Sequence, residues 1–181
     1  MPLVPASAQS LISGTIPQPS QREYEAHLDL GTIMGESISA AHPNEIEIIS
    51  FSWGSSNTAV RSAQGPAKGG KPSITEISVV KHIDKASAQI FQAVIQCTTI
   101  KTAKISLSKS TGGKKPEDYY VISMTGAYIS SMLQSSSGGS GIGTETITIN
   151  FKTINLDYKI QGANGLLTAA GSAAYDLGEA K

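Results

Sequence analysis

Apolar and polar residues alternate with a period of two along most of this chain, the spacing that puts one row of side chains on each face of a strand. The pattern predicts strands at YEAHLDLG (24–31), EIEIISFSWG (45–54), ITEISVVKHI (74–83) and TAKISLSKS (102–110). It predicts one or two more around Gly126 in YYVISMTGAYISSML (119–133), and a long last one in TETITINFKTINLDYKIQ (144–161). Gly and Pro punctuate the intervals, as in sandwiches and barrels. One stretch departs from the alternation. In DKASAQIFQAVIQC (84–97), Ala86, Ile90, Phe91, Val94 and Ile95 recur at helical spacing behind Asp84, a residue suited to an N-cap.

Two strands change phase part-way. In 45–54 the apolar side chains take even positions to Ile48 and odd ones from Ile49; in 144–161, Ile147, Ile149 and Phe151 give way to Ile154, Leu156, Tyr158 and Ile160. A strand of the second length, at about 3.3 Å per residue, outruns one small sheet, and an inserted residue lets it bend. Both slips are expected to be bulged corners, where strands pass between packed sheets or around a tight barrel. A corner at Ile48-Ile49 turns Phe51 and Trp53 inward, and Phe91 and Phe151 complete the expected aromatic core. The opposite row of the last strand, Thr144, Thr146, Thr148 and Asn150, is neutral and mostly hydroxylated, and 102–108 presents Thr102, Lys104, Ser106 and Ser108.

The 181 residues suit one domain that folds by packing alone, since Cys97 is the only cysteine and no intrachain disulfide is available. Residues 1–22, with Pro2, Pro5, Pro17 and Pro19, are expected to form an extended arm ahead of a single domain at 23–181. Fourteen basic and fourteen acidic residues cancel, which provides no field for nucleic acid. No stretch approaches the length of a membrane span, and the first twenty residues have neither Lys nor Arg nor an unbroken apolar run, so no secretory signal peptide is expected, and any export must go by another route.

Sites for chemistry are scarce. Gly65 to Lys71 matches the GxxxxGK part of a phosphate-binding loop, but Pro72 replaces the hydroxyl that would bind magnesium, and a strand follows instead of a helix. His27, His42 and His82 lack metal-ligand spacing, and hydrogen-bonded roles are expected for those in strands. No serine sits in a GxSxG elbow, Cys97 reads as a small filler, and Glu45 and Glu47 read as a solvated face. The expectation is therefore of no enzyme, cofactor or metal. The loop 57–72 is long for a hairpin and has little to bury in its own domain, so its order must come from a neighbour.

GESISAAHPNEIEIISFSWG (35–54), DKASAQIFQA (84–93), YYVISMTGAYISS (119–131), ETITINFKTINLDYKIQ (145–161) and AAGSAAYDLGEAK (169–181) together resemble the haemolysin-coregulated protein (Hcp) family, the tube proteins of type VI secretion systems. The likeness runs over about residues 24–181, with a longer arm than expected and Tyr175 where many relatives place tryptophan. It implies a mainly β fold of two packed antiparallel sheets forming a barrel-like sandwich with one α-helix (about 84–97). It implies a homohexamer whose stacked rings form a hollow tube, assembled in the bacterial cytoplasm and then secreted. Spike, sheath and baseplate are the implied partners, and effectors the implied cargo. By position, loop 57–72 corresponds to an extended loop that reaches a neighbouring subunit or ring. Its candidate contacts are Val60, Arg61, Gln64, Lys68 and Lys71, and the candidate lumen face is Thr144, Thr146, Thr148 and Asn150. Two alternatives are a monomeric β-sandwich that binds carbohydrate or a cell surface, and a tube subunit of a related contractile injection device.

Overall fold

The computed structural model describes residues 24–58, 69–113, 115–138 and 141–178. Its strands are β1 (Tyr24–Asp29), β2 (Ile46–Ser52), β3 (Ser55–Asn57), β4 (Pro72–Ile74), β5 (Ile77–His82), β6 (Ile100–Lys109), β7 (Glu117–Ser135), β8 (Thr144–Asn150), β9 (Thr153–Gln161) and β10 (Leu167–Asp176); the helix is α1 (Ser87–Gln96). In the order β7-β6-β1-β2-β5-β8, with β8 returning to β7, six strands close a barrel. β9 and β10 extend the sheet beyond the first half of β7, and β3 and β4 form a small sheet of their own.

The strand expected at 144–161 is two strands on one edge of β7. Tyr128 pairs with Asn150 and Thr125 with Thr153, so one antiparallel frame runs through both halves. The frame bends at a single corner. On β7 the corner is Gly126, with φ of +58°, a conformation glycine adopts without the Cβ penalty. Opposite it, Phe151-Lys152 interrupts the partner, and Lys152 N donates to Thr125 O at 2.9 Å. Beyond the corner, β5 takes the outer edge of β8 and β10 that of β9.

The first phase slip is also a bulge. Ile48 pairs with Lys81 and Ser50 with Val80, which leaves Ile49 as the inserted residue. Ile49 itself points out, a correction to its place in the apolar row, while Phe51 and Trp53 are half-buried against the core. The interior is filled by Leu28, Ile46, Ile77, Val79, Ile105, Ile122, Met124, Ile147 and Ile149, all fully buried, with Phe151 at the corner.

The helix is shorter than expected and starts later. Its N-cap position is Ala86, not Asp84, whose carboxylate instead accepts from the Ala86 N–H at 2.9 Å just ahead of the first turn. Ala86, Ile90 and Ala93 make the buried stripe. Phe91 is not core: it is 59% exposed, and Ile95 is 69% exposed, because α1 meets the barrel along one narrow stripe and these two share the neighbouring one. Three strands were missing from the sequence pattern, the short pair β3 and β4 and the Ala-rich β10.

Candidate functional site

Past the corner, β2, β5, β8 and the last part of β7 form a four-stranded wall whose inner side is core. Its outer side can be read across the register. Ser52 pairs with Ser78, Ser78 with Thr148, and Thr148 with Ser131, a row of four hydroxyls across four strands. The next row is Ser50, Val80, Thr146 and Leu133, and His82, Thr144 and Ser135 follow. The period-two pleat puts all of these on the face away from Val79, Ile147 and Ile149. Ser131 Oγ donates to Thr148 Oγ1 at 2.8 Å, and Asn150 Nδ2 donates to Glu76 Oε1 at 2.7 Å. Thr144, Thr146, Thr148 and Asn150 are thus half-buried at mid-sheet and flanked on both sides, so their row continues onto three other strands.

This wall has two open edges. β1 reaches β2 only at Ile46 and Glu47, so residues 48–52 have β5 on one side and no strand on the other among the described residues. β6 leaves β7 at Ala127, so the side of 128–135 away from β8 likewise has no strand among the described residues. Unpaired edges are costly for a protein that stays alone, because they invite further strands.

Lys81 and Glu145 pair across β5 and β8 on the inner side of the wall, with both side chains fully buried. Lys81 Nζ donates at 2.7 Å to Glu145 Oε1, Asp84 Oδ1 and the His82 carbonyl, which uses its three protons. Ser87 Oγ, in the first turn of α1, donates to Glu145 Oε1 at 3.0 Å, and Gln134 Nε2 reaches Glu145 Oε2 at 3.0 Å. The network ties the helix start to the wall. Its signal was present in the sequence: Lys81 shares parity with Ile77 and Val79, and Glu145 with Ile147 and Ile149.

On the far side of the barrel, His27 and His42 stack with ring centroids 4.7 Å apart. His42 Nε2 donates to Asp118 Oδ1 at 2.8 Å, and Nδ1 lies 3.1 Å from Glu45 Oε2 without the alignment of a hydrogen bond. The Asp118 hydrogen bond, followed by the Glu45 carboxylate, raises His42 to about 9. Burial, and then the charge on His42, lowers His27 below its ordinary value. Burial pushes Asp118 upward, and the hydrogen bond from His42, the His42 charge, Ser108 and the Lys159 charge together outweigh it, leaving Asp118 below the usual range. His82 is exposed on β5.

Of the loop residues, Lys71 is exposed, and Val60, Arg61, Gln64 and Lys68 lie outside the described residues, as does the arm 1–22. Cys97 is exposed and holds the left-handed C-cap of α1 at φ of 53°, which corrects its reading as a core filler. No cluster of metal-binding side chains occurs among the described residues, and none of their helices is long and apolar enough to cross a membrane.

The family model described as "Type VI secretion system effector, Hcp" matches residues 27–158. Protein hcp1 of Pseudomonas aeruginosa is 30% identical over 138 residues, spanning 76% of this chain and 85% of that protein. A solved structure of a type six secretion system protein superposes with a TM-score of 0.79 at 26% identity, covering 87% of this chain and 98% of its own. The crystal structure of Hcp1 from Salmonella typhimurium does so with a TM-score of 0.72 at 26% identity, covering 88% and 99%.

Proposed function

This chain belongs to the Hcp family of type VI secretion system tube proteins, and on that premise we propose that six copies close into a ring, that rings stack into a hollow tube, and that effectors travel inside it. The carrying observation is the four-stranded wall. It ends in two unpaired edges, one on β2 and one on β7, and an edge of each kind on neighbouring copies makes a head-to-tail contact that closes by rotation. The face between those edges bears Ser52, Ser78, Ser131, Thr144, Thr146 and Thr148, a largely hydroxylated surface interrupted by Val80 and Leu133, with His82 in its last row. A passage for varied cargo benefits from such a lining, because dense charge or a large apolar patch retains some passengers too tightly. The Thr144 to Asn150 row is then the lumen face, and the role is structural rather than catalytic.

The loop 57–72 supports stacking in this reading. β3 and β4 pair Ser55 with Ile74 and Asn57 with Pro72, so the two ends of the segment are held together, and the segment between them is the proposed contact with a neighbouring subunit or ring. The spike, sheath and baseplate of the machine are the other partners. Subunits assemble in the cytoplasm, and expulsion of the tube is their route out.

Two measurements test this reading. Native mass spectrometry should find a hexamer, and a monomer throughout the micromolar range refutes ring closure. Cysteines at Thr146 and Thr148 in a Cys97→Ser background should react with a small maleimide and be spared by one too bulky for the ring. Equal labelling places the row outside the lumen.

A further inference from the structure

The outer side of β1 and β6 is covered. His27, Ser106 and Ser108 alternate with the core residues Leu28 and Ile105, so they point away from the barrel interior, yet all three are buried. Segment 34–45, between β1 and β2, supplies the groups that meet this side. Its two large apolar residues do not hold it there, since Met34 and Ile38 are both exposed. Polar contacts do. Ser37 Oγ and His27 Nε2 are 3.0 Å apart, Ser39 Oγ donates to Glu25 Oε2 at 2.7 Å, and His42 lies between the ring of His27 and the carboxylate of Asp118. The segment is also bonded to itself, with Gly35 N donating to Asn44 O and Asn44 N to Ser37 O, each at 2.8 Å. Ile33 packs against the core before it and Ile46 lies in the core after it. It is therefore a unit anchored at both ends and retained in the middle by ionisable groups.

We propose that segment 34–45 is an acid-released cover: a proton on His27 sets a second positive charge 4.7 Å from the imidazolium of His42, and the repulsion frees the cover from β1 and β6. Every element packed here contributes a group. β1 brings Glu25, the cover brings His42 and Glu45, β2 brings Glu47, β7 brings Asp118, and β6 brings the hydroxyls of Ser106 and Ser108. The carboxylates of Glu25, Glu45 and Glu47 favour a charged His27, but burial and His42 outweigh them, so His27 sits below 6.5 while the cover is closed. Once the cover opens, the ring returns to its ordinary value. A group depressed in the closed state stabilises that state above the open-state value, and the stabilisation is lost as pH falls through the closed-state value. Between the closed-state value and 6.5, opening takes up as much as one proton at His27, and the opening constant grows by up to about tenfold per pH unit. Asp118, held below its ordinary 3.8 by His42, stays ionised through this window and is not the trigger.

Hydrogen exchange of the full chain, followed on peptides within 34–45 from pH 7.5 to 5.0 and divided by the intrinsic chemical rate, tests the proposal. The expected result is opening that falls from pH 7.5 to about 6.5, because His42 holds its proton better in the closed state, and then rises by up to about tenfold per pH unit on further acidification, the acid rise abolished in His27→Gln and retained in His82→Gln. Flat protection across the whole range in the wild-type chain overturns the proposal, as does an acid rise that survives in His27→Gln. If that variant does not fold, histidine-labelled wild-type protein decides by NMR. A His27 titration below 6.5 that shares its midpoint with the amides of 34–45 supports the cover. Titration at or above 6.5, or amides that do not follow it, rules the cover out.

Discussion

Replacing Lys81 by Met should destabilise the protomer more than any single surface change, and more than the reciprocal Glu145→Gln. Both side chains are fully buried, and they pair at 2.7 Å. Without Lys81, the carboxylate of Glu145 keeps only Ser87 Oγ and Gln134 Nε2 as donors and no counter-ion. Removing one partner of a buried pair costs about 3–5 kcal/mol, because a charge remains without compensation. Glu145→Gln is milder, about 1–3 kcal/mol, since Lys81 keeps Asp84 and the His82 carbonyl, and the amide can still accept from Ser87. The double variant Lys81→Met with Glu145→Leu buries no charge and should cost about 0–2 kcal/mol, less than Lys81→Met alone. Urea unfolding followed by Trp53 fluorescence measures all three, at concentrations where sedimentation confirms one assembly state for every sample. A Lys81→Met protein within about 1 kcal/mol of wild type, or a double variant as costly as Lys81→Met alone, would refute this account of the network.

Three further outcomes follow from the geometry. Trp53→Ala, which removes the only tryptophan, should cost about 2–4 kcal/mol in urea unfolding followed by far-UV circular dichroism, the lower part of the range for large-to-small core changes, because Trp53 is half-buried; a change below about 1 kcal/mol would remove it from the core. His42, raised to about 9 in the fold against 6.5 unfolded, adds stability that is complete below 6.5 and lost as pH rises through 9, roughly 2–3 kcal/mol between pH 6 and pH 10. His42→Gln should flatten that alkaline loss, and an unchanged loss would assign it elsewhere. Shortening 59–68 should leave the unfolding midpoint of the protomer unchanged while weakening assembly in native mass spectrometry; loss of protomer folding would place the loop in the core.

The barrel was legible where burial imposes alternation. Strands with one face on the core announce themselves, and the phase slips at Ile48-Ile49 and Lys152-Thr153 located its bend and bulge, because a corner must interrupt the period. β10 was hidden because LTAAGSAAYD is rich in Ala and Gly and mostly exposed, so no core imprints a period on it. Phe91 misled because helical spacing states which residues share a side, not how wide a stripe the barrel covers. Of the candidate site, the neutral row on 144–150 could be read, but its continuation onto Ser52, Ser78 and Ser131 required the register. The His42–Asp118 bond spans 76 positions, and no local pattern forecasts a contact of that separation.

The corner at Gly126 and Lys152 also sets the order in which the chain becomes safe during synthesis. β7 with β8 and β9 is one antiparallel frame of strands adjacent in sequence, a local zipper that closes soon after both arms exist. β5 is different: its free edge pairs with Thr144–Asn150, so Ile77 waits for Ile149. Until residue 150 leaves the ribosome, β5 presents an unpaired edge beside exposed Ile77 and Val79, the combination that recruits strands from other chains. Most of the polypeptide must therefore be made before its own last third can shield it. A pause in translation should be most damaging between His82 and Thr144, when that edge exists and its cover does not.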